Sequence, residues 1–475
     1  MTSIKNPPFA APSTSFLSFS TLLSAVDVLQ LKWFYTAAAF LLALLALEQM
    51  VYRIKKGHLP GDAWTIPIIG KFSDSRRPTM ENYRKGWDSG PLSAASVFNI
   101  FIVMASSNDY ARKIMNSPLH AEPCLVQIFL NGKTHVDFRK GLTNLFTRSA
   151  LGIYVAIQDK TTRTHFAQWA KDFSQSPRSI MWTARHLNMD TSLRVFCGNH
   201  IPQEATVEIG ETYWHITKAL QLVNFPFAFP GTNVYNAIQS RKIVMKWLTL
   251  AAQGSKIEMA RGGEPTCMLD TWVQVLADPT YKGRREFSAH EMALVVFSFL
   301  FASQDAMSSG VIYGFQHLVD HPAVLEKMPY LRAVVKESLR MQPPVIMVPY
   351  KAVRAFPISD EYTVPAGSML IPSFYNSLHD SAVYPEPDSF IPERWLDSAS
   401  AANANPKNWM VWGSGPHMCI GREYAMLSMA IVLGLAATMF DWEHEVTPES
   451  DKIDIFSTCF PRDGCRIKFT PRKVA

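Results

Sequence analysis

The sequence predicts a mainly α fold with small β-sheets, in which a single large domain follows an N-terminal transmembrane helix. Three observations predict it. An apolar run lies near the N-terminus, long helical patterns fill the middle, and short β-like runs broken by turn residues follow Pro343.

Composition supports a globular chain. Of 475 residues, 48% are hydrophobic and 12% aromatic, which excludes disorder as the main state. The formal charge of +6 comes from 46 basic against 40 acidic residues. No dense basic stripe accompanies it, so no nucleic-acid partner is expected. Six cysteines, at 124, 197, 267, 419, 459 and 465, show neither the spacing of a disulfide framework nor a CxxC zinc pair. The body of the chain is expected in a reducing compartment.

The apolar run "WFYTAAAFLLALLAL" at 33–47 has no charge, and with "EQMVY" it reaches 52, about 20 residues and enough to span a bilayer. Arg53, Lys55 and Lys56 follow and hold that end in the cytosol, leaving 1–32 on the lumenal side. A cleaved signal peptide is the alternative, but the run starts late and lacks a small-residue cleavage site. Pro60, Gly61 and Pro67 mark 53–70 as a hinge, and 71–475 reads as one domain without repeats.

Within that domain the spacing predicts helices over 211–223, 237–260 and 288–320. The last is apolar almost all round, as a buried central helix would be. After Pro343, "VIMVPYKAV" and "YTVPAGSMLIPSFY" read as strands and turns. "IDIFSTCF" and "CRIKFT", flanking "PRDG", predict a C-terminal hairpin, and a helix is expected over 420–439.

One thiol stands out. In "WMVWGSGPHMCIGREYA", Cys419 follows Gly413, Gly415 and Pro416 and precedes Gly421. A free cysteine is most often a buried structural residue. Here flexible backbone lets amides approach the sulfur, and a following helix aims its N-terminal dipole at it, which favours a thiolate able to ligate a metal.

This loop resembles the cysteine-ligand loop of the cytochrome P450 family, with Trp412 in the aromatic place and His417 in that of the usual arginine. Other motifs of the family occur in the same order. "KESLR" places Glu337 and Arg340 on one helical face, and "FIPERW" supplies Arg394; the resemblance implies a buried Glu-Arg-Arg cluster. "HVDFRK" resembles the helix that meets a haem propionate, with Arg139 as the cation and His135 where tryptophan is common.

In "FLFASQDAMSS", Ala302, Ser303, Asp305 and Ala306 stand where the family has a small residue, a glycine, an acid and a threonine. The acid remains and the threonine is gone. "FASQDA", "FCGNHI", "LQLVNFPFAFPGT" and "GPHMCIG" are similar to the sterol C-22 desaturase subgroup of that family, over roughly residues 50–472.

The resemblance implies haem b ligated through its iron by Cys419, with Arg139, His135, His417, Trp412, Gly413, Gly415 and Gly421 around the group. It also implies O2, electrons from NADPH through NADPH-cytochrome P450 reductase, a sterol substrate, membrane lipid, and single-pass anchorage in the endoplasmic reticulum with the catalytic domain cytosolic. Asp305 is the expected proton donor, helped by Ser303, with structural pairing as the plainer role for Asp305. Ala302, Ala306, Val345, Ile346 and Met347 are expected to line an apolar slot. A hydroxylase of the same family is the alternative. The chain departs from the family in "HPAVLEKMPY" (321–330) and "AEPCLVQIFLNGK" (121–133), which are short. A catalytically impaired haem or sterol-binding relative is therefore the rival from another class.

Overall fold

A computed structural model describes residues 19–71, 78–124, 131–220, 227–278, 286–326, 331–456 and 458–472. Parts of the stretches at 121–133, 211–223, 220–232 and 321–330 lie outside the described residues. Two compact units emerge, Met1–Gly57 and His58–Ala475.

The first unit contains helix α1 (Phe19–Lys56), of which Lys32–Lys56 is long and apolar enough to cross a membrane. The helix begins ahead of the predicted boundary at 33 and runs past 52, with Arg53, Lys55 and Lys56 in its last turn. The cations favour the C-terminal end of the helix dipole, so the helix continues into the predicted hinge.

The second unit is mainly helical: α2 (Gly132–Thr143), α3 (Arg148–Asp172), α4 (Met181–Cys197), α5 (Trp214–Lys218), α6 (Asn233–Ala260), α7 (Met268–Ala277), α8 (Ala289–Asp320), α9 (Leu331–Met341) and α10 (Arg422–Met439). Ser288 starts α8 with a capping box, its hydroxyl accepting from the Glu291 amide at 3.2 Å while the Glu291 carboxylate accepts from Ser288 N at 3.0 Å. α8 packs against α4, α6, α9 and α10, as a central helix should. It and α10 are apolar enough to span a membrane, yet both are built into the core.

Two apolar clusters share α8. Met292, Ala293, Val296 and Leu300 join one, and Met307, Val311, Ile312, Phe315 and Leu318 join the other. Between them the helix opens: Ala302 is exposed, and Ser303 and Ala306 are half-buried. One turn of an otherwise buried helix is thus left partly uncovered.

The main sheet comprises β1 (Leu92–Val97), β2 (Ile100–Ala105), β3 (Ala121–Pro123), β4 (Tyr350–Ala352) and β5 (Met369–Pro372), in the order β1-β2-β5-β4-β3. Its β2-β5 pair is parallel and the others are antiparallel.

The predicted C-terminal hairpin is corrected. β7 (Ile453–Ile455) pairs with β8 (Cys459–Pro461) inside "IDIFSTCF", whereas β9 (Arg466–Pro471) pairs with β6 (Phe440–His444) and with Arg178–Ser179. "PRDG" is thus a link between sheets. Ile467 and Phe469 alternate into the large core, and this burial selects the distant partner.

Candidate active site

The loop before α10 is shaped by its glycines. Gly413 and Gly415 both have φ of +71°, and a Cβ on Gly415 would stand 2.4 Å from the Met115 carbonyl oxygen. Only glycine fits there. The Cys419 amide donates to the Trp412 carbonyl at 2.8 Å and Met418 N to Gly415 O at 3.1 Å, so the loop folds back on itself. Ile420 packs against the same apolar cluster that Leu300 of α8 joins.

Cys419 is exposed on one side. Protein encloses the rest of it, and this enclosure pushes the thiol above its ordinary value against the opposing pull of the Gly421 amide, Arg139 and Arg422. The loop alone does not ionise the sulfur; a bound cation would complete what amide and arginines begin.

α2 meets this loop through two residues. Arg139 donates to the Met418 carbonyl, and the ring of His135 stacks on that of His417 with centroids 4.0 Å apart. Burial, then His135 and Arg139, push His417 down to about 4, and burial and Arg139 lower His135. Both imidazoles are therefore neutral near pH 7, and the cation of the group is Arg139. His417 stands in an arginine's place without its charge.

The Glu-Arg-Arg cluster is assembled. Glu337 and Arg340 are fully buried; Arg340 Nε and Nη2 each donate to the Glu337 carboxylate at 2.9 Å, and Arg394 Nε does so at 3.0 Å. Trp395 Nε1 and the Ile391 amide complete the carboxylate's shell at 2.9 and 3.0 Å. Spare guanidinium donors reach the carbonyls of Leu378, Pro387 and Pro385. The short link after α8 does not prevent this lock. Sequence reasoning missed Trp395, although it adjoins Arg394 in "FIPERW".

Asp305, expected to deliver protons, is buried and paired with Arg185 of α4, and its other oxygen accepts from the Thr217 hydroxyl of α5 at 2.7 Å. The Arg185 guanidinium lies 4.6 Å from the Trp214 ring and 5.6 Å from the Trp182 ring. Asn188 of α4 donates to the carbonyls of Ser303 at 3.3 Å and Gln304 at 3.0 Å. Gln304 returns a bond to the Arg185 carbonyl at 2.9 Å. "SQD" therefore stitches α8 to α4. Ser303, with Oγ 3.4 Å from Ser192 Oγ, is the half-buried hydroxyl on the open turn.

The residues expected to line an apolar slot lie in two places. Ile346 is buried with Trp87, Tyr313, Tyr375 and Cys459, and Met347 packs on the same group. The Ile346 carbonyl, bonded by Phe374 N at 2.8 Å, ties that segment to the residues just past β5. Val345 is half-buried, and Ala302 and Ala306 stay on the open turn.

The donor set suits a haem. Cys419 offers an exposed thiol beside the Arg139 cation and two neutral imidazoles able to meet carboxylates. The family model for "Cytochrome P450" matches residues 125–327 and 323–469. The chain belongs to the cytochrome P450 family. P450 enzymes are oxidoreductases that carry haem and receive electrons from a redox partner, and this P450 is one of them.

This P450 is 40% identical to the C-22 sterol desaturase ERG5A of Gibberella zeae over 93% of the chain and 92% of that protein. It is 39% identical to the C-22 sterol desaturase ERG5 of Saccharomyces cerevisiae over 98% and 94%. That alignment runs over 515 positions, more than the 475 residues of this P450, so the yeast protein carries segments missing here. The fold is shared with a retinoic acid bound cyanobacterial CYP120A1, at 20% identity and a TM-score of 0.74 over 87% of this chain and 99% of that one.

Proposed function

We propose that this P450 is a sterol C-22 desaturase of the endoplasmic reticulum membrane, anchored once by α1 with residues 71–475 in the cytosol. The observation that carries the reading is the near full-length likeness to C-22 sterol desaturases. Balanced overall, one O2, one NADPH and one proton remove two hydrogens from carbons 22 and 23, yielding the alkene, two waters and NADP+. Electrons pass from NADPH through NADPH-cytochrome P450 reductase.

Haem b, when bound, supplies the iron chemistry that activates O2. Cys419 is its iron ligand in this reading, and Arg139, His135 and His417 hold its carboxylates. The Cys419-Trp412 backbone bond and Gly415 keep the sulfur at one place. Ala302 and Ala306 leave room for a flat hydrocarbon on the open turn, and Val345 adds apolar surface. Ser303 is the hydroxyl placed to hold a proton-carrying water there, while Asp305, held by Arg185 and Thr217, orients the helix that carries it. Protons would pass through Asp305 only if that pairing opened.

Expression in a yeast strain lacking its own C-22 desaturase tests the proposal. Restored 22-alkene sterols are the expected result, and a sterol profile unchanged despite haem-loaded protein would overturn it.

A further inference from the structure

"FCGNHI" takes no part in the haem site, yet it builds a second cluster. The segment ends α4 and turns at Gly198, where φ is +58°. This turn carries His200 to the first turn of α7, with Nε2 2.8 Å from Asp270 Oδ1. The ligand atoms of His200, Cys267 and Asp270 all lie within 4.8 Å of one another, and Cys267 and Asp270 are buried.

The surroundings are those of a built site. Asp270 Oδ2 accepts from Thr266 N at 3.1 Å and Thr266 Oγ1 at 3.0 Å, and Ser255 Oγ donates to Oδ1 at 2.6 Å. Oδ2 is thus tied back to Thr266, while Oδ1 is held by Ser255 and faces His200, as outer partners orient a metal-bound carboxylate. A Cβ on Gly198 would stand 2.9 Å from Cys267 Cβ and 3.3 Å from its sulfur, and one on Gly254 would stand 3.2 Å from His200 Nδ1. Bare glycines let both side chains in.

We propose that His200, Cys267 and Asp270 bind a structural Zn2+ ion that pins the end of α4 to α6 and α7. Tetrahedral zinc with sulfur at about 2.3 Å and nitrogen or oxygen at about 2.0–2.2 Å needs ligand separations of roughly 3.3–3.6 Å. Small rotamer adjustments bring the cluster to that size. A thiolate and a carboxylate balance the charge of the ion. Burial works to raise Asp270, but hydrogen bonds from Ser255, Thr266 and His200 outweigh it and hold the carboxyl below its ordinary value. Cys267 is pushed well up by burial and by Asp270, so zinc would displace its proton on binding.

The test uses the untagged, haem-loaded full chain, expressed with zinc supplied and dialysed against EDTA too dilute to strip a tight site. Elemental analysis is expected to give about one zinc per haem, and zinc-edge X-ray absorption a shell with at least one sulfur at about 2.3 Å. Cys267→Ser keeps a hydroxyl beside Asp270 but no thiolate; at least a tenfold loss of zinc with haem content unchanged is expected. Zinc far below stoichiometric in the parent protein, a shell of nitrogen and oxygen alone, or equal zinc in the serine variant would each overturn the site in favour of a hydrogen-bonded cluster.

Discussion

The Asp305 carboxylate meets the Arg185 guanidinium in the protein interior, joining the central helix to α4 across 120 residues of sequence. A buried pair of this kind adds little net stability, but breaking it leaves a charge without a partner. Asp305→Asn keeps the shape and a group for Thr217, and strands Arg185. A loss of about 3–5 kcal/mol is expected from denaturant midpoints, with Asp305→Leu plus Arg185→Met recovering most of it. Unchanged stability with a slowed turnover would instead make Asp305 a proton donor.

Glu337 accepts from Arg340, Arg394, Trp395 and the Ile391 amide. Glu337→Ala strands two buried guanidiniums and should cost about 3–5 kcal/mol and most of the haem content. Haem-to-protein absorbance ratios of purified variant and parent check it.

The two glycines with φ of +71° should respond differently. Alanine at Gly413 meets no described atom closer than 3.9 Å and pays only the backbone strain of a position at φ +71° and ψ −166°, about 1–3 kcal/mol. Alanine at Gly415 collides with the Met115 carbonyl. Gly413→Ala should retain haem and Gly415→Ala should lose it; the same comparison of haem content decides.

His317 is buried against Phe390, with Nδ1 3.0 Å from Ser338 Oγ, and burial pushes it down to about 4. Between pH 6.5 and 4 the unfolded chain holds more protons at this residue, so its contribution is present above about 6.5 and is lost as pH falls toward 4. The loss amounts to at most about 3 kcal/mol. His317→Gln keeps a hydrogen-bonding group without the titration, and its melting temperature should fall less steeply over that range. An equal slope would assign the acid sensitivity to other groups.

What the sequence made legible was local. The Cys419 loop, the Glu337-Arg340 spacing and Arg394 could be read because each lies in a short segment whose residue types carry the chemistry. Arg185 and Thr217 could not, because nothing near them in the chain marks them as partners of Asp305. The C-terminal strands were visible as strands, but alternation does not name a partner, and burial of Ile467 and Phe469 chose β6. The neutrality of His417 follows first from its burial and then from His135 and Arg139, which lie 282 and 278 positions away in the chain and which no local pattern encodes.

The most direct test of the central claim is product analysis of the purified, haem-loaded chain with NADPH, its reductase, O2 and a sterol saturated at C-22. The account predicts a product with two hydrogens fewer than the substrate and a double bond at C-22. A product that has gained one oxygen as a side-chain hydroxyl, with no alkene, would contradict it.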